Sequence, residues 1–129
     1  MHEPLTINPP RSLTFQEEEI LKLLLSVDFP GREALLIQAH SVRVSEECKD
    51  CRSIKLAVDR SSSNAAIVKR RIPIEAETQD VDNMKIHILL HVVQGYMDEI
   101  EIYREDLQKI IEVPKPNELV LINLDADQG

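Results

Sequence analysis

Aromatic side chains are nearly missing from this chain. Among 129 residues there is no Trp, with only two Phe and two Tyr. Proteins that hold single-stranded nucleic acid stack bases on aromatic platforms, and carbohydrate sites use similar surfaces, so both classes are disfavoured. Glycine is almost as scarce, at three residues. With so few, neither a P-loop nor a G-x-G-x-x-G turn is present, and phosphate cradles are excluded. The serine loop Ser61-Ser62-Ser63 has no G-x-S-x-G elbow around it, so a hydrolase nucleophile finds no support.

Long apolar runs are absent too, and none of those present could cross a bilayer. The opening MHEPLTINPPRS is polar and proline-rich and lacks the apolar core of a signal peptide. Positive charge is in deficit: 15 Lys and Arg against 23 Asp and Glu leave a net charge of -8. Such a surface repels phosphate backbones, and the single basic run, Lys69-Arg70-Arg71, reads as a solvated strand face. These features predict a cytoplasmic protein with neither nucleic acid nor a membrane as partner. An acidic surface suits a basic partner protein, and it also keeps a chain soluble.

What is present is a large aliphatic supply, since hydrophobic residues make up 43% of the chain. That is enough for one domain with a core of its own. Residues 1–12 carry Pro4, Pro9 and Pro10 and predict a flexible arm. Thr14 opens a T-x-x-E capping box with Glu17. Ile20, Leu21, Leu24 and Leu25 follow at helical spacing, and the helix should end near Val27. Asp28-Phe29-Pro30-Gly31 breaks the chain, and Arg32 to Ala39 reads as a second, short helix.

From Val42 the apolar period changes to two. Strands are expected at Val42–Val44, Ser53–Asp59 and Ile67–Thr78, the last marked as an edge by Pro73. Glu118–Leu124 is a further strand candidate, and residues 125–129 should fray. A single domain over residues 13–124 follows. Its fold class is α+β, with two N-terminal helices packed on a mostly antiparallel sheet of about four to five strands.

The segment MKIHILLHVVQGYMDEIEIY, from Met84 to Tyr103, predicts a hairpin. A three-residue loop Val93-Gln94-Gly95 would pair Ile88 with Ile100, Ile86 with Ile102, His87 with Glu101 and Leu89 with Glu99. A two-residue Gln94-Gly95 loop would set Leu90 against Glu99 and so mix the faces. In the favoured register Ile86, Ile88, Leu90, Val92, Ile100 and Ile102 face the core. Each such side chain, fully buried, contributes about 1.5–3 kcal/mol before entropy is counted.

The opposite hairpin face then carries His87, Leu89, His91, Met97, Glu99, Glu101 and Tyr103. Histidine and carboxylate together could bind a metal or move protons. However, His87 and His91 stand roughly 13 Å apart along a strand, too far to share one ion. A mixed apolar and charged face is better read as an interaction surface.

Cys48-x-x-Cys51 is the other candidate. Two thiolates at this spacing can hold one side of a zinc site; His40 is the nearest third ligand, and His87 or His91 would have to arrive through the fold. A redox role would need a helix starting at the first cysteine, and Lys49 and Arg52 give only weak help. In a cytoplasmic chain the plainer account is a polar turn with two reduced thiols rather than a structural disulfide.

The segments LTFQEEEILKLLLSVDFPGREAL, CKDCRSIKLAVD and LLHVVQGYMDEIEIYRED resemble corresponding pieces of small, uncharacterised bacterial proteins. Those share a leucine-rich helix, an F-P-G break, a cysteine-bearing turn and a hairpin of the form LHV-x-x-G-x-x-x-E-I-E-I-Y. The resemblance spans roughly residues 13 to 105 and implies a bacterial cytosolic protein of unassigned activity; it carries no catalytic residues with it. The combined expectation is a non-enzymatic binding protein, immunity-type or regulatory. It would need no cofactor and would act on another protein or on a second copy of itself as a homodimer. The alternative is a small zinc protein built on Cys48, Cys51 and His40.

Overall fold

A computed structural model describes residues 4–48 and 50–122. The residues expected to fray, 125–129, lie outside it. The elements are β1 (Pro4–Arg11), α1 (Phe15–Leu24), α2 (Arg32–Gln38), β2 (Arg43–Cys48), β3 (Ile54–Ala57), β4 (Ile74–Gln79), β5 (Lys85–Val93), β6 (Tyr96–Arg104), a 3₁₀ turn at Pro116–Glu118 and β7 (Val120–Ile122). One sheet runs in the order β1-β2-β3-β6-β5-β4-β7, and every neighbouring pair is antiparallel.

The class remains α+β, but the sheet has seven strands, which corrects the four or five expected from sequence. The surplus comes from the edges. The proline-rich segment read as an arm supplies β1, and an edge strand tolerates Pro because a missing N–H can face away from its neighbour. Its pairing with β2 is interrupted between Thr6 and Arg11, the stretch that holds Pro9 and Pro10. Pro73 is not on an edge. It is fully buried and immediately precedes β4, which is paired on both sides by β5 and β7. Residues 67–73 therefore form no strand; they run as a loop that still returns a backbone bond from Val92 N–H to Arg71 O.

α1 forms where the capping box predicts: Glu17 N–H donates to Thr14 Oγ1, and Thr14 N–H donates to the Glu17 carboxylate. It ends at Leu24, earlier than Val27. Leu21, Leu24, Leu25 and Leu35 from the helices meet Ile86, Ile88, Leu90, Ile100 and Ile102 in a single core. Ile110, from the stretch after β6, is buried in the same core. All six hairpin residues assigned to the core face are buried.

The hairpin reaches that face by a different route. Val93 pairs with Tyr96 and Val92 with Met97, so the loop is the two-residue Gln94-Gly95 turn. Both residues are left-handed, φ 54° and 88°, as a type I′ turn requires. The register then shifts between His91 and Val92, because Asp98 is an extra residue on β6. This bulge restores Leu90 against Ile100 and Ile88 against Ile102. A bulge takes up one residue without turning the remaining side chains over, so the face-mixing argument against the short loop does not apply. Gly95 is needed twice: beyond its φ, a Cβ there would meet Ala65 Cβ at 2.6 Å and Ala66 O at 2.8 Å.

Gln38 binds this turn to α2. Its side chain is wholly buried and its amide is spent: Nε2 donates to Asn64 O at 3.0 Å and Gly95 O at 2.9 Å, while Oε1 accepts Met97 N–H at 3.0 Å. One side chain thus joins helix, loop and hairpin tip.

Arg104, at the far end of β6, has a similar role. It donates to Asp80, Asp82 and Asp106 at 2.7–3.1 Å, and its side chain is 5% exposed. Asp80, with no side-chain exposure, also accepts the N–H groups of Val81, Ile111 and Glu112. Burial opposes the Asp80 charge, but the Ile111 and Val81 amides, the Arg104 guanidinium and the Glu112 amide outweigh it and hold the carboxyl below its ordinary range. Arg104 pulls Asp106 down to about 2, with help from the Gln108 amide.

Two outcomes follow for stability. Gln38→Leu leaves the buried Met97 N–H without its acceptor, while Gly95 O keeps the Ala66 N–H and Asn64 lies exposed, and should cost about 1–3 kcal/mol in urea denaturation. Asp80 and Asp106 are lowered in the folded state, so their contribution is complete above the unfolded carboxylate value and drains as acid reaches the folded one. Urea stability should hold above about pH 5 and fall as pH drops from about 4 toward 2, with a shallower fall in Asp106→Asn.

Candidate functional site

Both helices pack on one face of the sheet. No element among the described residues covers the other. On that outer face the hairpin presents His87, Leu89 and His91 from β5 and Glu99, Glu101 and Tyr103 from β6. Met97 is not among them. It pairs with Val92 and is 2% exposed in the core, because the Asp98 bulge turns it inward. The expectation that Met97 lines the interaction face is corrected accordingly.

The pairings on this face also differ from those expected. His87 stands across from Tyr103 rather than Glu101. The two rings stack with centroids 5.0 Å apart, and His87 Nε2 lies 3.3 Å from Glu105. Leu89 faces Glu101 rather than Glu99. His91 faces Glu99 but bonds diagonally, Nε2 to Glu101 at 2.8 Å, while Arg71 Nε donates to its Nδ1 at 2.9 Å. An Nδ1 that accepts from a guanidinium carries no proton, so Nε2–H is the donor to Glu101. The one ring-nitrogen lone pair, on Nδ1, is taken by Arg71, and the N–H on Nε2 by Glu101.

A cleft of about 630 Å³ opens on the same face. Its floor is Leu89, 8% exposed, beside Tyr103. Leu107 and Cys51 add apolar wall, and four carboxylates, Glu46, Glu47, Glu99 and Glu101, line the cleft with two cations, Lys55 and the carboxylate-bound Arg104. Burial works against the Lys55 charge, but Asp98 at 3.1 Å and Glu99 at 3.6 Å outweigh it and raise its pKa. Tyr103 is raised as well, first by burial and then by the charges of Glu101, Glu75 and Glu105. The cleft is therefore a place where negative charge is already crowded: it disfavours a further anion and favours a cation.

The cysteines sit on the cleft wall, in the turn joining β2 to β3. They are joined to each other as a disulfide, which corrects the expected pair of free thiols. His40 does not come near them. It lies after α2, beside a groove lined by Leu21, Leu25 and Leu36, and the whole length of β2 separates its neighbour Arg43 from Cys48. Among the described residues no group of three potential metal ligands forms. Lys55 and Asp98 are site residues that the sequence did not disclose. Both depend on a register that only the bulge explains.

A family model described as a domain of unknown function, DUF6984, matches residues 10–114. The chain belongs to this family. The matched span holds both helices, β2 to β6 and every residue of the cleft except Pro4, so the cleft is built almost entirely from the DUF6984 unit. Comparison with curated proteins and with solved structures finds no match. No helix among the described residues is long and apolar enough to cross a membrane.

The Tyr103 environment can be tested directly. Its phenol should ionise above the usual tyrosine value of about 10 in a spectrophotometric titration. Glu101→Gln should bring it back down, because removing a neighbouring negative charge favours the phenolate.

Proposed function

We propose that this DUF6984 chain is a small cytosolic binding protein, regulatory or immunity-type, whose outer sheet face docks a basic partner protein. The observation that supports this most is the composition of the cleft. An apolar floor of Leu89 and Tyr103, with Leu107 on the wall, is ringed by Glu46, Glu99 and Glu101, with Lys55 already held by Asp98 and Glu99. A partner that inserts an apolar side chain and brings Lys or Arg to the rim would match it in shape and charge. The state of His91 favours binding over catalysis, since Arg71 and Glu101 occupy both ring nitrogens and a general base needs one free. The net charge of -8 would steer a basic partner toward the face.

The reading predicts how variants behave in capture from a lysate of the source cells, followed by titration with the purified captured protein. Glu99→Lys with Glu101→Lys should weaken binding about tenfold or more, mostly through a slower on-rate. Leu89→Asp should abolish it, while Glu118→Lys, off the cleft, should leave it unchanged. Equal retention by wild type and the double variant would sink the proposal.

A further inference from the structure

The Cys48–Cys51 disulfide makes little sense as a staple. It bridges residues three apart, and crosslinks that close short loops remove the least chain entropy. The turn it spans is already closed by backbone bonds: Cys48 N–H to Ser53 O at 2.9 Å and Arg52 N–H to Cys48 O at 3.1 Å, with Arg52 in the left-handed region at φ 69°. The two sulfurs are also unequal. Cys51 is 9% exposed. Cys48 is more open, lines both the cleft and a second hollow across the turn, and its Sγ accepts the Cys51 N–H at 3.1 Å.

We propose that Cys48 and Cys51 form a thiol–disulfide exchange site, with Cys48 the sulfur that is attacked and Cys51 the one that resolves. The co-reactants are a dithiol reductant in one direction and a small disulfide such as oxidised glutathione in the other. A reductant thiolate attacks Cys48 Sγ, the bond to Cys51 breaks, and Cys51 leaves as a thiolate that takes a proton from water. Cys48 is then held in a mixed disulfide. The second thiol of the reductant, having lost its proton, attacks the reductant sulfur of that bond and releases Cys48 as a thiolate, which is protonated in turn. Two electrons and two protons have passed to the protein, and the reductant departs as a disulfide. In the reverse direction two glutathione thiols are released for each oxidised glutathione consumed. The Cys51 N–H stabilises the Cys48 thiolate whenever that sulfur carries charge. Cysteine pairs in reducing compartments that do form disulfides are usually transient or sensing ones, which agrees with the cytosolic location proposed above. The proposal does not depend on the docking reading.

Full-length protein equilibrated in glutathione buffers of graded redox ratio, then alkylated and weighed, tests it. Both cysteines should become alkylatable together in one two-electron transition. Cys51→Ser should accumulate glutathione on Cys48, about tenfold faster than Cys48→Ser does on its buried Cys51. Circular dichroism of both variants checks that each is folded. A wild-type protein that stays dithiol across every ratio would overturn the proposal, as would equal rates in the two folded variants. Stoichiometric zinc that blocks alkylation of the reduced protein would also overturn it and restore the metal reading.

Discussion

The extra residue at Asp98 is the constraint from which the rest of the molecule is arranged. A two-residue type I′ turn matches the twist of its flanking strands, but on its own it would put carboxylates into the core. The bulge lets that turn coexist with an unbroken apolar face on Ile86, Ile88, Leu90, Ile100 and Ile102. It also sends Met97 inward, where its N–H meets Gln38, and leaves the Asp98 carboxylate beside Lys55 and Arg71. Core, helix attachment and outer-face charge thus share one irregularity.

The two ends of the hairpin are held by opposite chemistries. At the tip a neutral amide, Gln38, joins three backbone segments that would otherwise need water. At the base a cation, Arg104, gathers Asp80, Asp82 and Asp106, and Asp80 in turn holds the amides at Ile111 and Glu112. That second cluster brings Ile110 under the core, although the stretch around it has no regular structure. A buried arginine is tolerable there because three carboxylates share its donors.

Much of the fold was legible from local pattern. The Thr14–Glu17 box, the F-P-G break and the alternation in β5 and β6 each determine a structure within a few residues. The errors arose where the deciding partner is distant. Pro4, Pro9 and Pro10 speak against regular structure only if the strand is interior, and nothing local reveals that residues 4–11 border β2. Ile67–Thr78 has strand composition, but only its second half pairs, as β4; the first half is a loop, and just before it Ala66 N–H bonds Gly95 at the hairpin tip. The outer face was legible in outline, since alternation alone puts His87, Leu89, Glu99 and Glu101 on one side. Its pairings, the inward turn of Met97 and the charge held by Lys55 were not, because each depends on the bulge. The cysteine spacing marked the right turn, and the distance to His40 could not be read from order along the chain.

Both outermost strands, β1 and β7, come from the two ends of the chain, outside or barely inside the span that the family match covers. A shortened form limited to residues 10–114 would keep its core, its hairpin and both clamps. It would also lay bare the backbone of β2 on one side and β4 on the other, each with a row of unanswered amides and carbonyls. The terminal strands add little to the buried interior, but the edges they present are poorer templates: β1 carries Pro4, Pro9 and Pro10, and β7 is three residues long.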